Sequence, residues 1–176
     1  MKKINLFVCT LAIAGLGFTS CSDDDNNSTS DDVKIEGTYN LDEVNTAAET
    51  DFDEDGDSHI DQMEESDCYD GGRIILNSDN TFEYKITGIV VADGEAGCAN
   101  SQTVSGVYTS QPASDPKNAL ITLTYDNNGQ TVTRQFTKIG KELSWTDGTI
   151  LSTYPDRNDD GAAVLVPGST EYVYEK

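Results

Sequence analysis

Residues 119–139 read ALITLTYDNNGQTVTRQFTKI, two runs rich in Leu, Ile, Val, Thr, Phe and Tyr parted by Asn127-Asn128-Gly129. β-Branched and aromatic side chains pack well on a pleated surface, and Asn-Gly accepts the positive φ of a tight hairpin. The stretch therefore predicts strands Ala119–Tyr125 and Gln130–Ile139 as antiparallel neighbours. Asp79-Asn80 repeats the turn signal, as does Asp147-Gly148 between Leu143-Ser144-Trp145 and Ile150-Leu151.

Outward from this hairpin, runs of the same type predict strands at Ile35–Val44, Gly72–Leu76, Thr81–Val91, Thr103–Ser110, Lys141–Thr146, Thr149–Tyr154, Val164–Val166 and Glu171–Tyr174. No segment sustains a helical period, and only Ile60–Ser66 is expected to turn helical, for a turn or two. The class is all-β. Strands paired in sequence order form a meander, and a meander of this size hides its edges by closing on itself. The expected fold is an antiparallel up-and-down barrel of about 8–10 strands over residues 33–176.

The N-terminus reads as an address. Lys2 and Lys3 precede an apolar stretch from Ile4 to Phe18, too short to span a bilayer, where about 20 residues are wanted. Phe18-Thr19-Ser20-Cys21 resembles the bacterial lipobox, with Phe18 in place of the usual leucine. Residues 1–20 are thus expected to be a lipoprotein signal peptide, with Cys21 lipidated (palmitate-bearing) and anchored in the outer membrane. Residues 21–32 carry almost nothing apolar and read as an acidic tether. Their Ser22-Asp23-Asp24-Asp25 is similar to the acidic export signal of surface lipoproteins of the Bacteroidota, which implies exposure on the cell surface.

Four cysteines are present. Cys9 leaves with the signal and Cys21 takes the lipid, so Cys68 and Cys98 remain in an oxidising compartment and are expected to form a disulfide. A pair of buried free thiols is the alternative. Removing Lys2 and Lys3 leaves nine Lys/Arg against 32 Asp/Glu, a net charge of −23. That excludes nucleic acid as a partner, and it makes the lipid, not the protein surface, the membrane anchor.

The charge is concentrated. Asp51-Phe52-Asp53-Glu54-Asp55-Gly56-Asp57 has the Asp-x-Asp-x-Asp-Gly form of a calcium loop, in which alternate carboxylates converge on one hard cation. Gln62 falls where the closing bidentate glutamate would stand, so Asp61, Glu64 or Glu65 is needed to substitute. The candidate calcium ligands are Asp51, Asp53, Asp55, Asp57 and Asp61, against a plain acidic loop. A weaker second candidate is Asp156, Asn158 and Asp160, in Asp156-Arg157-Asn158-Asp159-Asp160-Gly161. Whether both loops reach one rim is not legible here.

Gly37-Thr38-Tyr39, the acidic stretch, the following cysteine and the strand-turn-strand Ile74–Tyr84 together resemble the lipocalin-like lipoproteins of the Bacteroidota. Tyr39 stands for the tryptophan of their Gly-x-Trp-type signature, and Lys176 for the arginine that covers it. The resemblance spans most of residues 33–110 and implies a barrel that holds a small apolar or amphiphilic ligand.

Catalysis is not expected. His59 is the sole histidine and sits in the acidic loop, and with both mature thiols paired no nucleophile–base–orienter set can be assembled. Two expectations of function remain. One is a ligand-binding barrel lined by Tyr39, Phe82, Tyr84, Tyr108, Tyr125, Phe136 and Trp145. The other is a surface-exposed interaction or structural module whose lumen those same residues fill.

Overall fold

The computed structural model describes residues 34–115 and 117–176. The expected signal peptide, Cys21 and the expected tether lie outside the described residues. Thirteen strands follow along the chain: β1 (Gly37–Thr50), β2 (His59–Asp61), β3 (Arg73–Leu76), β4 (Thr81–Ile86), β5 (Ile89–Ala92), β6 (Glu95–Cys98), β7 (Gln102–Pro112), β8 (Asn118–Asn127), β9 (Gln130–Ile139), β10 (Glu142–Asp147), β11 (Thr153–Arg157), β12 (Ala163–Pro167) and β13 (Thr170–Glu175). One short helix, α1 (Gln62–Glu65), falls inside the predicted Ile60–Ser66 turn.

Strands β1, β3, β4, β7, β8, β9, β10 and β13 pair antiparallel in that order, and β13 returns to β1 from Asn40↔Glu175 to Thr46↔Thr170. The ring closes as an eight-stranded up-and-down barrel. A bulge between Leu41 and Glu43 bends β1 away from β3 and onto β13, which is the role such bulges play in closing sheets.

The stretch at 119–139 folds as read. β8 and β9 pair from Asn118↔Ile139 to Asn127↔Gln130, and Asn128 and Gly129 both take positive φ, 55° and 82°. Along β8, Ala119, Ile121, Leu123 and Tyr125 alternate inward, and Phe136 enters from β9. Tyr84, Phe136 and Tyr174 meet edge to face at centroid distances of 6.1–6.2 Å, and Phe82 meets Tyr125 at 6.1 Å. These rings, with Ile74, Leu76, Leu143 and Tyr39, are almost wholly buried and fill the middle of the lumen. Gly106 permits this packing: a Cβ there would stand 2.1 Å from the Thr124 carbonyl oxygen and 3.1 Å from the Phe82 ring.

Two predicted elements need correction. Thr81–Val91 is not one strand but β4 and β5, broken at Thr87-Gly88. Asp147-Gly148 does not make a hairpin: Gly148–Ser152 is a turn, Thr153 begins β11, and β11 pairs with β12 while β10 pairs with β13. The local turn signal lost to barrel closure, which needed β10 beside the last strand.

The connections divide by end. At one end lie tight links: residues 77–80, 113–117 and 140–141. There Lys176 packs over Tyr39 with its Nζ 5.4 Å from the ring centroid, donating to the carbonyls of Lys34 and Glu36. Gly37 leaves room for it, since a Cβ would lie 2.5 Å from Lys176 Cε. At the other end lie all three long insertions, residues 51–72, 87–101 and 148–169.

Candidate functional site

The insertions form a cap because they are fastened to one another. Cys68 and Cys98 are joined by a disulfide with an S–S distance of 2.02 Å, linking the 3-10 turn 67–69 to β6. The Thr87 hydroxyl donates to the Tyr69 carbonyl at 2.7 Å, and the Ala163 amide donates to the Gly94 carbonyl at 2.9 Å. Arg157 ties the third insertion to the first: Nε donates to the Phe52 carbonyl at 3.0 Å, Nη1 to the Gly161 carbonyl at 2.9 Å, and the guanidinium lies 5.0 Å from the Phe52 ring centroid.

The two acidic loops therefore do meet on one rim. A Cβ on Gly161 would stand 2.7 Å from Glu54 Oε1. What bridges them is the Arg157 guanidinium. In the second loop Asn158 Oδ1 accepts from the amides of Asp160 and Ala162, at 3.1 and 2.9 Å, and Asp156 Oδ1 accepts from the Arg157 amide. Their first task there is to shape the turn between β11 and β12.

In the first loop three aspartates, Asp51, Asp53 and Asp55, each turn one oxygen back on the chain. Asp51 Oδ1 accepts from the Gly56 amide (3.4 Å), Asp53 Oδ1 from Asp55 (3.1 Å) and Asp55 Oδ1 from Asp57 (2.9 Å). Glu65, 3% exposed, is brought back under the loop by α1. Its Oε2 accepts from the amides of Phe52 (2.7 Å) and Asp53 (3.4 Å), its Oε1 from the amide of His59 (3.0 Å), and Oε1 also pairs with His59 Nδ1 at 2.8 Å. This hydrogen bond, with the charge of Glu65 behind it, raises the His59 pKa above its ordinary value.

Carboxylate oxygens of Asp51, Asp53 and Glu65 lie within 4.8 Å of one another, the one such group among the described residues. Asp55 and Asp57 stay outside it. So does Asp61, whose Oδ1 accepts from the Val44 and Met63 amides and thereby caps α1. Glu65 replaces Asp61 because the helical turn, not residue count, sets which carboxylate faces the loop. Gln62, fully buried, donates to the Thr50 hydroxyl while its Oε1 has no hydrogen-bond partner in the protein.

Between cap and barrel lies a cavity of about 320 Å³, walled by Tyr69, Ile86, Ile89, Gln102, Leu165 and Tyr172 among others. No charged side chain lines it. Burial raises the pKa of Tyr69, and burial with the neighbouring Tyr84 pushes that of Tyr172 up to about 12, so both phenols stay neutral at physiological pH.

A second opening lies in the barrel wall. β9 and β10 pair only from Glu142↔Ile139 to Ser144↔Thr137; past Ser144 they part, although β10 keeps pairing with β13 to Asp147↔Thr170. The resulting slot, about 640 Å³, is lined by Arg134, Trp145, Asp147 and Glu171 with several threonines. Arg134 stacks on Trp145 with Cζ 3.9 Å from the ring centroid, and Trp145 stacks in turn on Tyr172 at 5.2 Å.

No protein-family model, no curated protein and no solved structure matches this chain.

Proposed function

We propose that the chain is an outer-membrane-anchored lipoprotein of lipocalin-like type, exposed on the cell surface through its Cys21 lipid, that binds a small apolar or amphiphilic ligand beneath its cap. The observation that carries this reading is the uncharged cavity. In a chain with 32 Asp/Glu, a pocket walled by three insertions and free of carboxylates is a place from which charge has been kept away. Its volume lies at the lower end of the range of small-molecule sites, roughly 300–1,000 Å³. Its walls mix apolar side chains such as Ile86, Ile89 and Leu165 with the neutral polar groups of Thr87, Asn100, Gln102, Thr153 and Thr170, which suits a compact amphiphilic molecule with hydrogen-bonding groups. The lumen below is filled by rings, so the ligand sits at the mouth and not at the barrel centre.

Calcium is proposed as the brace of the first loop, held by Asp51, Asp53 and Glu65. Three carboxylates within 4.8 Å repel one another, and the buried Gln62, whose Nε2 donates to the hydroxyl of Thr50 next to Asp51 in the chain, has an Oε1 without a donor. A divalent cation relieves the repulsion and suits oxygen ligands. No catalytic role is proposed.

A second reading, a module that contacts macromolecules, is favoured by one observation. Ile150 and Leu151 stand 98% and 85% exposed on the cap side, at the tip of a turn closed by the Ser152 amide on the Thr149 carbonyl.

Native mass spectrometry of the chain from residue 22 onward, with and without chelator, tests these together. An organic adduct lost on Ile89→Phe supports the cap ligand. A calcium-sized increment lost to chelator and to Asp51→Asn/Asp53→Asn supports the brace. If neither is seen and melting is indifferent to calcium, ligand and metal both fall and the macromolecular reading stands.

A further inference from the structure

We infer that the slot between β9 and β10 is a binding site for a small organic carboxylate, with Arg134 as its anion-binding group, apart from the cap cavity. Arg134 points inward from β9, in register with Val132 and Phe136, and is half-buried. Its one hydrogen bond among the described residues goes from Nη1 to the Tyr84 hydroxyl, at 3.1 Å. A guanidinium carries five N–H donors in a planar fork that matches a carboxylate. The others have no acceptor among the described residues, and no described carboxylate comes within ion-pairing distance; the described ion pairs are His59–Glu65 and Arg73–Glu83.

Lacking an ion pair does not by itself set Arg134 apart, since of the described lysines and arginines Arg73 alone has one, with Glu83. What sets Arg134 apart is that it is half-buried in the slot, held on the Trp145 face and by the Tyr84 hydroxyl, in an orientation fixed before any anion arrives. Stacking of this kind orients the fork and lowers the entropy lost on pairing.

The slot also selects what the carboxylate is attached to. Trp145 is covered by Arg134 and Tyr172, so the ligand does not use it as a platform. Asp147 and Glu171 stand on the same wall, and Asp147 Oδ1 already accepts from the Ser152 hydroxyl at 2.6 Å. They reject a second negative charge and accept hydroxyl or ammonium donors. The fitting ligand is a monocarboxylate whose remainder is neutral or donor-bearing. The overall negative charge slows approach of such an anion, but at physiological salt it is screened beyond about 8 Å, and the pairing itself is local.

Trp145 is the sole tryptophan, so its emission reports this slot directly. The lipidated full chain, purified in a non-ionic detergent, is titrated with phenylacetate and with its neutral analogue phenylacetamide while Trp145 fluorescence is followed. A saturable change is expected with phenylacetate, at least tenfold tighter than with the amide, and Arg134→Gln is expected to weaken it at least tenfold while Arg134→Lys retains part. Because Arg134→Gln also loses the stacking, its fold is checked by circular dichroism; should it not fold, the acid-to-amide ratio on the unaltered protein decides. Equal binding of acid and amide, or no saturable change, overturns the inference. Loss of phenylacetate binding on Ile89→Phe but not on Arg134→Gln would place the acid under the cap, sinking this site while leaving the proposed function intact.

Discussion

The two ends of the barrel use one ring of strands to opposite effect. At the tight-turn end lie links of a few residues and the Lys176 ammonium over Tyr39, closing one side of the packed lumen. At the capped end, the same strands carry three long insertions, a disulfide, two acidic loops, an uncharged cavity and an arginine without an ion-pair partner. The first end stabilises the sheet, and the second spends that stability on loops that could not hold their shape alone.

The comparison breaks first if the core does not govern the whole ring. Phe136 is fully buried and touches Tyr84, Trp145 and Tyr174; Phe136→Ala is expected to destabilise the domain by ~4 kcal/mol in urea titration, with both ends melting together. Separate transitions would show that the cap folds independently.

Next in size is the disulfide. Cys68→Ser with Cys98→Ser opens a loop of sequence separation 30 and is expected to cost about 3–4 kcal/mol. Hydrogen exchange should then quicken in residues 51–72 and 87–101 well before it quickens in β8 and β9. Uniform quickening would mean that the bond serves the ring and not the cap.

At the tight-turn end, Lys176→Ala removes an exposed cation–π contact and two hydrogen bonds to carbonyls, with an expected loss of ~1 kcal/mol and no change at the cap. Burial pushes the pKa of Tyr39 up to about 12, so its hydroxyl should keep donating to the Ile35 carbonyl until strongly alkaline pH.

The smallest effect belongs to His59. Its folded pKa lies above the unfolded value near 6.5, so its stabilisation is full below that value and is lost as pH rises through the folded pKa. Against His59→Gln, the unaltered protein should gain in melting temperature as pH falls from 8 towards 6. A difference that does not vary with pH would remove the His59–Glu65 pair from the account of the loop.

How much of this was legible depends on range. Runs of alternating residues and Asn-Gly turns act over a few positions, and they indicated the all-β class, the β8–β9 hairpin and the turn at Asp79-Asn80. The same short range misled at Asp147-Gly148, where a hairpin turn is locally sound but the last strand competes for β10. Glu65 was only one of three substitutes for Gln62 on spacing, and α1 chose it. Arg134 carried no signal at all, because its meaning lies in its stacking on Trp145 and its bond to the Tyr84 hydroxyl, contacts between strands and not between neighbours in the chain.

By itself the sequence determined the all-β class, most of the barrel strands, the β8–β9 hairpin and the crowding of carboxylates into two loops, because each follows from composition, counting or local backbone preference. Only the tertiary structure decided that the ring closes at eight strands, that every long insertion falls on one rim, that rings fill the lumen, and that β9 and β10 part to leave Arg134 facing an open slot. Those are outcomes of closure, in which residues far apart in the chain compete for the same neighbours, and no local preference ranks the competitors.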